Sequence, residues 1–176
     1  ASPQVARPDS DVSAGSWTTT TLFSKVDEVV PDDADLITSA SGPSNDTCEL
    51  GLSNVTDPAS SVEHMLRVRR KKSASSGNQI DMRYRILEGS TERASFTDDT
   101  NISDAAYETI TRTLSGGQAD AITDYTNLRV EIRANQVAGD GAAPTFIGRS
   151  AALATANTSG ADVTPALPAG HTTNDI

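Results

Sequence analysis

The clearest pattern in the chain runs from Leu128 to Ala134, where every even position is apolar and two of the three odd ones are Arg129 and Arg133. Apolar residues two apart share one face of an extended strand, so this segment predicts a half-buried strand. The same period recurs between His64 and Lys71, with Leu66 and Val68 set against Arg67 and Arg69. It returns between Ile80 and Ile86, where Ile80, Met82, Tyr84 and Ile86 alternate with Asp81, Arg83 and Arg85. Ser73 to Asn78 is a run of small and polar residues, so these two strands read as a hairpin. Shorter strands are expected at Leu36–Ala40, Cys48–Leu52, Glu92–Thr97 and Tyr107–Leu114, with Ile110 and Leu114 facing inward, and an edge strand at Asp11–Trp17. Leu22 and Val26 are spaced i, i+4 and predict one helical turn. Ser115 to Ile122 reads as a turn and short helix leading into the final strand. About eight strands with two short helical connections predict an all-β fold, a jelly-roll-like antiparallel β-sandwich.

The pattern fades at both ends. Residues 1–9 hold two prolines and almost no apolar content, so nothing repays the entropy of ordering them alone, and they are expected to form an arm. Residues 135–176 hold ten alanines, four charges and one aromatic, Phe146. That segment reads as a C-terminal arm or as the start of a second β module. The sandwich itself is assigned to residues 10–134. With 36% hydrophobic and 4% aromatic residues, its core must be thin and mostly aliphatic.

Charge alters this picture more than composition does. The net charge of −10 argues against nucleic acid, whose binding draws on Lys and Arg that displace counterions. Its distribution is uneven: residues 1–63 carry 11 acids and 2 bases, residues 64–93 carry 8 bases and 3 acids, and residues 94–134 carry 7 acids and 3 bases. On neighbouring strands Arg67, Arg69 and Lys71 would project with Arg83 and Arg85 away from the core as a stripe of like charge. One reading makes the stripe a docking surface for an acidic partner, the other a solvated face neutralised by acids of the same chain.

Candidate chemistry is sparse. The single cysteine, Cys48, shares the parity of Leu50 and Leu52 and reads as a small buried hydrophobe rather than a nucleophile. His64 and His171 are far apart, and no nucleophile elbow or phosphate-binding loop accompanies them. Asp32, Asp33 and Asp35, with Asp27 and Glu28 nearby, offer oxygens to calcium but lack the spacing of an EF-hand loop, and read as a solvated acidic turn. Sequons at Asn45, Asn54, Asn101 and Asn157 matter only in a secretory compartment. No apolar run is long enough to span a bilayer. The expectation is a non-enzymatic protein with no cofactor, no bound metal and no membrane or nucleic-acid partner.

Several stretches, in order, resemble a β-sandwich module of virion proteins from tailed double-stranded DNA phages. They are Ser10–Trp17, Val26–Glu28 with Pro31–Ile37, Leu52–Pro58, Arg67–Lys71 and Leu114–Val130. Ala143–Gly148 and Thr164–His171 resemble the start of another β module that follows such domains in phage tail proteins. The resemblance implies a structural protein at the surface of the phage particle, with no catalytic residues. The resemblance leaves the location open between capsid surface and tail; the reading adopted is a capsid decoration (cement) protein that contacts the major capsid protein or other virion proteins, stabilises the head through its arms and forms a homo-oligomer, a trimer being favoured. A tail fibre or baseplate module is the nearest alternative. A carbohydrate-binding sandwich for host attachment is a third; exposed aromatic platforms would support it, but Trp17, Tyr107 and Tyr125 are few and read as core.

Overall fold

A computed structural model describes residues 4–18, 20–73 and 78–137. Among them are seven strands: β1 (Pro8–Ser13), β2 (Asp46–Leu52), β3 (Met65–Arg70), β4 (Gln79–Glu88), β5 (Thr91–Ser95), β6 (Glu108–Thr113) and β7 (Leu128–Val137). A 3-10 turn covers Phe23–Lys25, and a short helix, α1, covers Gly116–Asp120. The strands form two antiparallel sheets, one in the order β1-β2-β7-β4-β5 and the other made of β3 and β6. The fold is all-β, as the periodicity predicts. Because β2 pairs with β7 while β3 pairs with β6, the consecutive strands β2 and β3 run beside β7 and β6 and cross between sheets together. The two sheets pack as a β-sandwich.

Period two decides which side chains meet between the layers. From the large sheet come Cys48 and Leu50 of β2, Met82, Tyr84 and Ile86 of β4, and Leu128 and Val130 of β7, all buried. From the ribbon come Leu66, Val68 and Ile110, partly buried against Met82, Tyr84 and Ile102. The ribbon covers only part of the large sheet. The rest of the inner face is closed by the β1–β2 connection, which places Leu22 fully inside and packs Trp17, Phe23, Val26 and Ile37 against the same cluster. Asp11 fixes that connection: its two carboxylate oxygens accept hydrogen bonds from the N–H groups of Leu22 and Phe23, both at 2.8 Å, and so cap the 3-10 turn.

The hairpin expected from β3 and β4 does not form. β3 pairs with β6, some forty residues on, and β4 pairs with β5 and β7. The sequential hairpin is instead β4–β5, turned at Gly89, whose φ of 58° lies in the left-handed region that glycine enters without strain. Leu36–Ala40 contributes a single bridge, Thr18 to Thr38, rather than a strand. The edge strand begins at Pro8, inside the segment assigned to the N-terminal arm, and Gln4 exchanges two hydrogen bonds with the Thr56 backbone of the same domain. Helix α1 starts with a capping box: the Ser115 hydroxyl accepts from Gln118 N–H, and the Gln118 side chain accepts from Ser115 N–H at 2.8 Å. The C-terminal arm lies outside the described residues from 138 onward. No helix among those described is long and apolar enough to cross a membrane.

Candidate interaction surface

The five basic residues singled out in the sequence fall on two different sheets, because β3 and β4 are not neighbours. Arg83 and Arg85 lie on the outward face of the large sheet, and Arg67 and Arg69 on the outward face of the ribbon, with Lys71 just beyond it. A single two-strand stripe is therefore not present, and the two groups meet different surroundings.

On the large sheet the cations lie beside acids from adjacent strands or from the segment after β5, although the Nε atoms of Arg83 and Arg133 are buried without a hydrogen-bond partner. Arg85 binds both oxygens of Glu131 on β7 and, at 3.0 Å, Glu92 on β5. Arg129 binds Glu49 across β7 and β2 at 2.9 Å. Arg133 pairs with Asp98, and Arg83 lies 3.9 Å from the same carboxylate. Arg85 covers Glu131, which is 9% exposed although its face looks outward. The paired carboxylates hold the Arg85 guanidinium well above its ordinary pKa.

The ribbon face is built differently. The register sets Met65 opposite Thr113, Arg67 opposite Thr111 and Arg69 opposite Thr109, all of them outward and exposed. Three neutral threonines offer no counter-charge. Arg67 has no ion-pair or hydrogen-bond partner among the described residues. Lys71 rests over the Tyr107 ring at 5.6 Å, and Arg69 shares that ring at 5.4 Å. Arg69 alone meets a carboxylate, gripping Asp33 with two hydrogen bonds of 2.5 and 2.6 Å. This contact holds the Asp33 carboxyl below the usual carboxylate range.

Arg70, adjacent to the stripe in sequence but outside it, faces the opposite way. Its side chain is 9% exposed and lies between the sheets, bound to Asp99, to Glu108 at 3.0 Å and to the Tyr84 hydroxyl at 3.2 Å. Arg112 of β6 reaches the other oxygen of Asp99. Parity signals both placements: Arg70 shares the even parity of Leu66 and Val68, and Arg112 that of Ile110 and Leu114. Asp98 and Asp99 are consecutive and so point to opposite sides of the chain, one serving the outer-face arginines and the other the inner pair. A polar depression of about 490 Å³ opens beside Arg70 and Glu108, lined also by Asn101 and Ser103.

The remaining candidates fall into place around these two faces. Asp35 pairs with Lys25 at 2.9 Å and Asp32 accepts from Ala34 N–H, so the acidic turn spends its oxygens within the chain. No group of three metal-ligating side chains converges among the described residues. Cys48 is fully buried, and burial pushes its thiol up to about 12, far from the thiolate a nucleophile requires. His64 lies 2.7 Å from the Tyr125 hydroxyl, and its other ring nitrogen faces the Val62 carbonyl. His171 and Asn157 lie outside the described residues. Of the three aromatics weighed for sugar binding, Tyr125 is buried, Trp17 packs against the core, and the Tyr107 ring already meets two cations. Compared with known proteins, the chain matches no family model, no curated protein and no solved structure.

Proposed function

We propose that this chain is a structural virion protein that decorates the outside of a tailed-phage head, binding the shell through the ribbon face of β3 and β6. The observation that carries this reading is Arg67, exposed on that face without a partner among the described residues, in a chain whose net charge is −10. The order in which the virion-like stretches recur over residues 10–134 supports it independently. An uncompensated basic patch on an acidic protein is steered toward an acidic partner and away from the rest of its own surface. Each exposed pair contributes only ~0–1 kcal/mol, so one copy is held weakly. Many copies on a repeating lattice, linked to one another as a homo-oligomer, hold far more firmly because each further contact is made at high effective concentration.

Gold-labelled antibody against the chain, applied to purified particles, tests this reading. Label over the head surface is expected. Label confined to the tail would transfer the chain to a fibre or baseplate, and unlabelled particles would retire the virion assignment.

A further inference from the structure

The contact between Arg69 and Asp33 shows that the ribbon face can hold a carboxylate. Two features make β3 receptive to an added strand. Leu114 N–H donates to the His64 carbonyl, so even-numbered residues of β3 face β6 for hydrogen bonding. The N–H and C=O groups of Met65, Arg67 and Arg69 therefore point away from β6, and none has a backbone partner among the described residues. The other feature is that the guards on β3 are charges of one sign, which repel a like-charged strand and not an acidic one. Edge strand β1 carries Pro8, two aspartates and two register shifts, devices that discourage pairing with another chain. β3 runs in continuous register with β6 and has neither proline nor bulge. Among the described residues, the one carboxylate that its outward arginines meet is Asp33, delivered by the loop between Lys25 and Asp35.

We propose that the β3 edge binds an extended acidic segment of a partner protein by strand addition, and that Asp33 is an internal competitor occupying the Arg69 subsite until the partner displaces it. Main-chain bonds to Met65, Arg67 and Arg69 supply the pairing, and carboxylates at alternate guest positions lie beside Arg67 and Arg69 on the exposed face. Bidentate geometry favours a carboxylate at Arg69, as Asp33 already demonstrates. Self-pairing of two β3 edges is disfavoured, because it would set Arg67 and Arg69 of both copies side by side. This inference rests on the docking role proposed above and adds the partner's chemistry.

The test is equilibrium binding of a short peptide of alternating glutamate and threonine, with a glutamine–threonine peptide as control. Asp33→Asn is expected to tighten the glutamate peptide about three- to fivefold, the worth of one released exposed pair. The gain should vanish in an Asp33→Asn, Arg69→Ala double variant, and Arg67→Glu should abolish binding with an unchanged thermal midpoint. Equal binding by wild type and Asp33→Asn would overturn the competitor role. Equal binding of both peptides, tighter binding of single-stranded DNA, or no peptide binding at all would overturn the acidic-strand inference. In the last case gold-labelled heads would leave the decoration reading standing.

Discussion

Both sheets turn arginines outward, yet only one of them leaves positive charge unspent. On the large sheet Arg85, Arg129 and Arg133 each meet a carboxylate from a neighbouring strand or loop, and Arg85 covers the nearly buried Glu131. On the ribbon, threonines stand where those carboxylates would be, and Arg67 is left without a partner among the described residues. A count of bases along the sequence treats the two groups alike. Compensation separates them: the first set of charges is paired within the sheet, and the second includes Arg67, which is not.

The sharpest way to break this division lies between the sheets. Asp99→Ala would leave Arg70 and Arg112 without their shared carboxylate, and Arg70 is 9% exposed. Arg70 keeps Glu108 at 3.0 Å, so the loss should fall toward the lower end of the about 3–5 kcal/mol typical of a broken buried ion pair, still a large part of the stability of a domain this size. The urea midpoint should fall accordingly. A variant as stable as wild type would show that water already solvates the cluster.

Acid titration gives a second, smaller effect at the end of β4. Glu88 accepts from the Thr123 N–H at 2.9 Å and from its hydroxyl at 2.8 Å, and pairs with Arg93. The Thr123 bonds, with Arg93 behind them, lower its carboxyl from 4.5 to about 2. A carboxyl whose folded pKa lies below its unfolded value stabilises the fold fully above the unfolded value, and that contribution is lost as pH falls toward the folded one. Wild type should therefore exceed Glu88→Gln in stability by a constant margin above about pH 5.5, and the margin should close between pH 4.5 and about 2. Urea melts of the pair across that range measure it. A margin independent of pH would remove the linkage.

Much of the fold is legible in the order of residues alone. β7 announces itself because its alternation is unbroken, and the turn at Phe23–Lys25 follows from the i, i+4 spacing of Leu22 and Val26. Pairing is harder to read. Each strand shows which of its faces is buried but not which strand lies beside it, so proximity in sequence suggests β3 with β4 where the fold joins β3 to β6. The surface is half-legible for the same reason. Parity correctly turns Arg67, Arg69 and Lys71 away from the core, whereas Arg83 and Arg85 join them only through a hairpin that does not exist. Their neutralisation by Glu131, Glu92 and Asp98 comes from segments outside β4, which local periodicity does not connect to it. Arg70 and Arg112 escape a reading that equates charge with exposure, although their parity places them inside.

The division between spent and spare cations is tested most directly by the urea unfolding free energies of Arg85→Ala and Arg67→Ala, measured side by side. Arg85→Ala removes hydrogen bonds to two carboxylates and should cost about 1.5–3 kcal/mol. Arg67→Ala should shift stability by less than about 0.5 kcal/mol. Equal losses in the two variants, or a larger one at Arg67, would contradict the account.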